Sequence, residues 1–254
     1  MQSSPHWKNC PIHVVDFEGS ARTGIVEYGV ATLLGGEVVA VSSRLCAAAA
    51  PIPGVDTQCH GLRDADLAGT APFSDEWERF AGMRRGGMLC AHHAATEHNL
   101  LKRVWPYPGA VPDFSRALPA NRVGTAAAGG AVAAGGTGDA AAGAVYPSVN
   151  DWGPWLDTCR LAAVWHPAAR DFGLGALIKW FRLGDELESA AGALCPPKRA
   201  RYHCAPYDAL ASALLLRHMC ALPGKTDASL GKLVCDSLGF ERQTEWMQTE
   251  LELF

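Results

Sequence analysis

Two acidic residues follow the first apolar run of the chain. Asp16 and Glu18 are two positions apart in IHVVDFEGS, residues 12–20. On a β-strand this spacing puts both side chains on one face. Two carboxylates there repel each other and lose hydration, and divalent cations would relieve both costs. The alternative is that the strand ends by Phe17, which would leave Glu18 solvated.

A second group of polar residues surrounds a predicted helix start in YHCAPYDAL, residues 202–210. Pro206 suits the first turn of a helix, and Asp208 is favoured there by the helix dipole. His203 lies just before this helix. A histidine in this position is usually a structural residue, so its importance depends on what else lies nearby.

A third group is AHHAATEHNLL, residues 91–101. His93 and Glu97 are four residues apart and would share a helix face. A zinc site formed by Cys90, His92 and His93 is disfavoured, because strand alternation would separate them and no cysteine pair completes a tetrahedral site. Glu97 and His98 would point to different faces of the helix.

Several predicted strands and helices position these groups. Three strands at 12–17, 24–33 and 37–45, the last two joined by Gly35-Gly36, predict an antiparallel meander. Later segments alternate between strand and helix, which predicts an α/β fold with a mixed sheet flanked by helices. Before the Ala/Gly-rich stretch, the other predicted segments are an irregular stretch at 46–71, a helix at 75–82 capped by Ser74, a strand at 86–92 and a helix at 94–104. After it come the strand WLDT from 155 with a helix cap at Asp157 or Thr158, a helix to Trp165, a helix at 173–182 and a loop at 184–202. The helix containing Pro206 follows, with Leu210, Leu214 and Leu215 on its apolar face, and a last helix is predicted at 240–253.

Composition limits the classes of protein that are plausible. The chain has 254 residues and a net charge of −4, which argues against an extensive nucleic-acid-coating surface but not against gripping a few nucleotides. Nine cysteines without a C-x-x-C pair or a signal-like N-terminus predict reduced thiols and a cytoplasmic protein. No apolar run is long enough to cross a bilayer.

Residues 124–145 are mostly alanine and glycine, which predicts a flexible insertion at about 106–150 within a domain at 10–220, followed by a helical extension at 221–254.

The three groups, taken in order, resemble the motifs of the DEDDh 3′–5′ exonucleases, which have a ribonuclease-H-like fold and include bacterial proofreading subunits, ribonuclease T and oligoribonuclease. VVDFEGS resembles the first motif, Asp-x-Glu, and YHCAPYDAL resembles the third, His-x4-Asp. AHHAATEHNLL resembles the second. CHGLRDADLAGTAPF at 59–73 and WLDTCRLAAVWHP at 155–167 resemble intervening segments of the family. Cys204 stands where the tyrosine branch of the superfamily would need its tyrosine, so the histidine branch is favoured.

The resemblance implies a set of roles. Asp16, Glu18, Glu97 and Asp208 would hold two Mg²⁺ or Mn²⁺ ions, with Asp16 between them, and His203 would be the general base. Substrate neighbours would be Phe17, Gly19, Ser20 and His93. The basic run Lys198, Arg199 and Arg201 could guide the phosphate backbone, with Arg84-Arg85 and Lys102-Arg103 as weaker candidates.

The second motif departs from the family pattern. His93 stands in place of asparagine, Thr96 in place of an aromatic residue and Glu97 in place of aspartate. Glutamate keeps the charge but adds a methylene, so we expect retained activity with an altered metal preference.

The implied activity is removal of nucleoside monophosphates from the 3′ end of DNA or RNA, in proofreading, repair or trimming. The alternative is a catalytically weak exonuclease-like module that binds nucleic acid or a polymerase partner. Self-association is a further possibility, since some family members are dimers. A structural protein with incidental acids would have to match all these motifs by chance.

Overall fold

The computed structural model describes residues 4–118 and 144–238. Its first three strands form the predicted antiparallel meander: β1 is Ile12–Ser20, β2 is Gly24–Leu34 and β3 is Glu37–Leu45. Gly35 and Gly36, between β2 and β3, have φ angles of 65° and 91°. Both lie in the left-handed region that glycine adopts without steric cost, which accounts for the glycine pair at this turn.

Two parallel strands complete the sheet. β4 is Met88–Ala91 and pairs with β1, and β7 is Trp155–Asp157 and pairs with β4. The strand order is β3-β2-β1-β4-β7. The predicted mixed sheet, an antiparallel meander extended by parallel strands, is therefore confirmed. A separate two-stranded sheet joins β5, Val111–Pro112, to β6, Ser148–Val149.

Helices flank the sheet. Their bounds are α1 Gly54–His60, α2 Trp77–Gly86, α3 Ala94–Val104, α4 Thr158–Trp165, α5 Leu174–Trp180, α6 Gly184–Leu194, α7 Ala205–Ala221 and α8 Leu230–Ser237. The helix predicted at 94–104 has those same bounds. α4 begins after Asp157, whose carboxylate accepts hydrogen bonds from the N–H groups of Cys159 and Arg160, so the predicted cap is confirmed.

Three sequence predictions about helices were wrong. The stretch 46–71 contains α1, which ends at Gly61, where φ is 79°. The stretch 184–202 contains α6, whose Leu187 and Ala191 are buried one turn apart. The helix after residue 73 is not capped by Ser74, because a 3₁₀ turn at Phe73–Glu76 precedes α2.

Side chains alternate between the two faces of β1. Ile12 and Val14 belong to the core that also contains α7, whereas Val15 and Phe17 belong to an aromatic core on the other face. α7 packs across β1, β2 and β3 and is buried from residue 205 to 216. Its predicted apolar face is therefore only part of its buried surface. Asp16 and Glu18 continue the alternation on the α7 face.

Buried Arg84 binds backbone carbonyl groups near both ends of the predicted insertion. Its guanidinium donates hydrogen bonds to the carbonyl groups of Trp152 at 3.0 Å, Pro112 at 2.5 Å and Gly153 at 2.6 Å. Most of the Ala/Gly-rich stretch, and the helix predicted at 240–253, lie outside the described residues. The domain boundaries near 10, 220 and 254 therefore stay a prediction.

The chain after α7 continues the same core. α8 packs against α4 and β7, and the Ser237 hydroxyl accepts a hydrogen bond from the N–H of Asp157. None of the nine cysteines forms a disulfide. Among the described residues, no helix combines the length and apolar character needed to cross a membrane.

Candidate active site

The site lies on the α7 face of the sheet, at the end of β1. Asp16 and Glu18 are both partly buried there. Burial, together with the carboxylates of Asp208, Glu97 and Glu18, raises the pKa of Asp16 well above its ordinary value. Burial and the charges of Asp208 and Glu27 raise the pKa of Glu18 to about 8. These shifts show how densely negative charge is gathered at this point.

A glycine lets α7 approach these acids. Gly29 of β2 pairs with Asp16 in the β1–β2 ladder. A Cβ atom at Gly29 would lie 2.1 Å from the carbonyl oxygen of Ala205 and 2.4 Å from the nitrogen of Pro206. The first turn of α7 therefore occupies the space of the missing side chain, which brings Asp208 to the end of β1.

His203 and Asp208 complete one group of possible ligands. Ligand atoms of Glu18, His203 and Asp208 all lie within 4.8 Å of one another. His203 is exposed and has a left-handed φ of 60°. Its backbone N–H donates a hydrogen bond of 2.9 Å to one carboxylate oxygen of Asp208. This bond closes the turn that presents the imidazole beside the acids.

Glu97 comes from the first turn of α3 and is 5% exposed. Burial and the nearby Asp157 and Glu18 raise its pKa to about 8. The carboxylate of Asp157 accepts hydrogen bonds from the N–H groups of His93 and Ala94, in addition to those from its own helix α4. The carboxylate of Asp157 on β7 therefore caps both α3 and α4, and it fixes the start of the helix that carries Glu97.

The four acids fit divalent cations. Oδ1 of Asp208 and Oε2 of Glu97 are buried without a hydrogen-bond partner among the described residues. Burial raises the pKa of Asp208 to about 7, with Glu27 adding to the shift. Buried carboxylate oxygens that lack partners and repel one another are the hard ligands that Mg²⁺ and Mn²⁺ prefer. The donor set is therefore chemically suited to the ions that the sequence resemblance implied.

A fifth acid, Glu27, was not identified from the sequence. It is 1% exposed and lies opposite Glu18 in the β1–β2 ladder. Its two carboxylate oxygens accept hydrogen bonds from Nε and a terminal nitrogen of Arg199, at 2.8 and 2.5 Å, and a third bond comes from the N–H of Ala205 at 2.9 Å. Arg199 also donates to the carbonyl of His60. Arg199 therefore joins β2 to the end of α1 and to the segment before α7.

This arrangement changes the interpretation of the basic residues. The guanidinium of Arg199 is used internally, and that of Arg84 is buried against the carbonyl groups described above. Neither is placed to guide a phosphate backbone. Lys198 and Arg201 remain exposed next to the site, and the ammonium of Lys102 lies 5.8 Å from the ring centre of Tyr107. No signal in the sequence distinguished Arg199 from its basic neighbours, because its partner is 172 residues away.

The side chains at the first motif pack within the fold, so contacts with a substrate there stay a prediction for the backbone. The side chain of Phe17 lies in the aromatic core against Phe73 and Phe80, so only its backbone can face a substrate. Gly19 has φ 136° at a bulge in the ladder, and its Cβ position would be 2.0 Å from the carbonyl oxygen of Gly24. Its missing side chain therefore makes room for β2, not for a substrate.

Ser20 belongs to the turn that follows β1. Its N–H donates to the hydroxyl of Thr23, and the two hydroxyl groups are 3.1 Å apart.

His93 is exposed immediately before α3, with φ 65°. His92 is buried, and its two ring nitrogens contact the Thr158 hydroxyl and the Phe172 carbonyl.

The fold is shared with solved exonuclease structures. One, exonuclease X in complex with 5′ overhanging duplex DNA, matches with a TM-score of 0.55 and 20% identity over 88% of this chain and 99% of that chain. Another, a 3′-exonuclease recognising the 3′ end of a histone mRNA stem-loop, has a TM-score of 0.50 and 10% identity over 89% and 68% of the two chains. The predicted ribonuclease-H-like fold class is confirmed. No protein-family model and no curated protein matches the chain.

Proposed function

We propose that this chain is a metal-dependent 3′–5′ exonuclease that releases nucleoside monophosphates from the 3′ end of DNA or RNA. The observation that carries the proposal is the gathering of Asp16, Glu18, Glu97 and Asp208 with an exposed histidine, His203, in an exonuclease-type fold. Acids from three distant places in the sequence meet near the end of β1, where they repel one another. Such an arrangement costs stability, so it is retained for a function.

Two Mg²⁺ or Mn²⁺ ions held by these four acids would neutralise the phosphate and stabilise the charge that develops on the leaving oxygen. Asp16 would contribute to holding both ions, and the charges of Glu18, Asp208 and Glu97 that act on it support this role. Glu18 and Asp208 are neighbours and would share one ion. Glu97 would hold the other.

The chain itself supplies the proton acceptor. The imidazole of His203 is exposed beside Glu18 and Asp208, while its backbone is tied to Asp208. A neutral imidazole can take the proton of the attacking water near neutral pH. The hydrogen bond from the His203 N–H leaves the other oxygen of Asp208 available as a ligand.

Substrate contacts would come from exposed groups around the acids. The backbone from Phe17 to Ser20 ends the strand that carries two ligands, and His93 is exposed one turn before Glu97. Lys198 and Arg201 are exposed just before His203 and are suited to contact phosphate oxygens. The acidic net charge favours a grip on a few terminal nucleotides over a long binding track.

The alternative function is a catalytically weak module that binds nucleic acid or a polymerase partner, or associates with itself. The observation that favours it is the second motif, in which Glu97 replaces the usual aspartate. Loss of hydrolysis with retained nucleic-acid binding would support this alternative.

A direct test uses 5′-labelled single-stranded DNA and RNA with Mg²⁺ or Mn²⁺. We expect stepwise shortening of at least one strand and release of nucleoside monophosphates. Asp16→Asn should abolish shortening, and Asp185→Asn, which changes an exposed acid in the first turn of α6, is the matched control. A folded wild-type protein that shortens neither strand with either metal would rule out the exonuclease.

A further inference from the structure

The structure brings together a second group of possible metal ligands, with different chemistry. His92 and His93 lie between β4 and α3, and Cys159 lies in the first turn of α4. β4 and β7 are parallel neighbours in which Ala91 pairs with Asp157, so the residues that follow each strand meet at one edge of the sheet. Ligand atoms of the two histidines and the cysteine all lie within 4.8 Å of one another.

We propose that His92, His93 and Cys159 form a binding site for a zinc-class divalent ion. Two imidazole nitrogens and one thiolate are donors that select Zn²⁺ or Co²⁺ over Mg²⁺ and Mn²⁺, which prefer oxygen. Three protein ligands leave the fourth tetrahedral position to water. This donor set shares no residue with the four acids, so the proposal does not depend on the exonuclease assignment.

One of the two hydrogen bonds of His92 is of the kind that a metal-binding histidine makes. A carbonyl group can only accept, so the 2.9 Å contact between Nε2 and the Phe172 carbonyl puts the ring proton on Nε2. The lone pair of Nδ1 then points to the Thr158 hydroxyl, 2.8 Å away, next in sequence to Cys159. A ligating histidine ordinarily donates its other N–H to a carbonyl or carboxylate in this way.

Binding needs two local changes. Nδ1 of His92 exchanges the Thr158 hydroxyl for the ion, and that hydroxyl keeps a carbonyl acceptor in Ala91, 3.5 Å away. Donors on one zinc ion are about 3.3–3.8 Å apart, given bond lengths near 2.0–2.3 Å, so the side chains need to close by at most about 1.5 Å. His93 and Cys159 can make this movement because His93 is exposed and Cys159 is partly exposed.

The thiol proton has to leave. Burial and the neighbouring Asp157 raise the pKa of Cys159 to about 11, so the free protein carries a thiol there. The sulfur–ion bond forms as the S–H bond breaks, and the proton passes to solvent. Loss of this proton offsets one of the two positive charges that the ion brings to the site.

Cobalt titration of the whole chain tests this site. A cobalt–thiolate bond gives a charge-transfer band in the near ultraviolet, whereas cobalt on carboxylates does not. We expect the band in the wild-type protein, its loss in Cys159→Ser and weakening of Co²⁺ affinity by more than about tenfold in His93→Ala. Because His93 is exposed, that second variant tests the site even if Cys159→Ser disturbs folding.

Two control variants test whether the cobalt–thiolate band comes from Cys159. Cys59 is an exposed thiol on α1. Burial raises its pKa most, and the charges of Glu18, Asp208 and Asp16 raise it further, so this thiol lies near the acids. Cys59→Ser and Asp16→Asn should both keep the band unchanged. A wild-type protein without the band, a band that persists in Cys159→Ser, or a band lost in Cys59→Ser would each overturn the proposal.

Discussion

Ala205 packs directly on Gly29, with its carbonyl oxygen in the space that a Cβ atom of Gly29 would need. Because Gly29 also pairs with Asp16, this contact sets the distance between the first turn of α7 and the acids of β1. His203 and Asp208 lie on either side of Ala205. The distance between the third motif and the first therefore depends on Gly29, which belongs to neither motif.

Replacing Gly29 with alanine should disrupt the site. The added methyl group would overlap backbone atoms, so α7 must shift, at a cost of about 1–3 kcal/mol or more. We expect a lower free energy of unfolding in urea and a larger proportional loss of exonuclease rate at temperatures where the variant is folded. Gly192→Ala in α6, where a Cβ meets open space, is the control and should be neutral or slightly stabilising. Wild-type rate and stability in Gly29→Ala would contradict this account.

Arg199→Met should destabilise the protein by about 3–5 kcal/mol, because it leaves the buried charge of Glu27 unpaired. The double variant Glu27→Gln with Arg199→Met removes that charge and should recover part of the loss. Equilibrium unfolding in urea measures both. If the single variant loses no more stability than the double variant, the ion pair does not have this role.

His203→Ala should lower the rate of shortening by about 10²–10⁴-fold, the usual contribution of a general base. The residue is exposed, so we expect little change in the melting temperature. The loss should fall on kcat, with KM close to the wild-type value. A loss confined to KM would instead indicate that His203 contacts the substrate without accepting the proton.

Glu97→Asp should change the balance between Mg²⁺ and Mn²⁺. The shorter side chain moves its carboxylate by about one methylene, and Mg²⁺ tolerates such displacement less than larger ions do. We expect the ratio of the rates with the two metals to change by about tenfold, equivalent to ~1.4 kcal/mol in the barrier. Unchanged rates with both metals would show that the extra methylene has no consequence.

The pH dependence of stability should reveal the repulsion among the acids. Folding raises the pKa of Glu18 from 4.5 to about 8 and that of Asp208 from 3.8 to about 7. The folded state therefore binds protons more tightly than the unfolded state, and stability falls as pH rises from about 4 to about 8. We expect the melting temperature of the chelator-treated protein to fall across this interval, and less so in Asp16→Asn.

Divalent cations should oppose this effect. Mg²⁺ or Mn²⁺ binds the ionised acids of the folded state, so the rise in melting temperature on adding metal should grow with pH. Asp185→Asn is the matched control and should follow the wild-type curve. A metal effect independent of pH would place the ions elsewhere.

The sequence was informative where a local pattern decides the structure. The alternation of β1 put Asp16 and Glu18 on one face, and α3 has the predicted bounds because His93 and Trp105 flank an uninterrupted helical run. The loop predicted at 184–202 was wrong because most apolar residues of 184–194 are alanines, so the spacing of Leu187 and Ala191 is a weak signal. α6 forms because that face packs on α7.

The rest of the site depends on contacts between distant residues. Glu27 could not be distinguished from an ordinary strand residue without knowing that Arg199 lies beside it. Gly29 carries no chemical signal at all, and its importance comes from the backbone of α7. The family resemblance implied Phe17 as a substrate neighbour, and strand alternation sends its side chain to the opposite core.

The pairing of Val111 with Val149 has a practical consequence. The N–H of Leu118 also donates a hydrogen bond to the carbonyl of Val145, so the described residues on either side of 119–143 lie next to each other, and Arg84 holds the backbone at Pro112, Trp152 and Gly153. Because closing a longer loop costs little additional entropy, a reporter protein or affinity tag inserted within 119–143 should leave the distant carboxylates undisturbed.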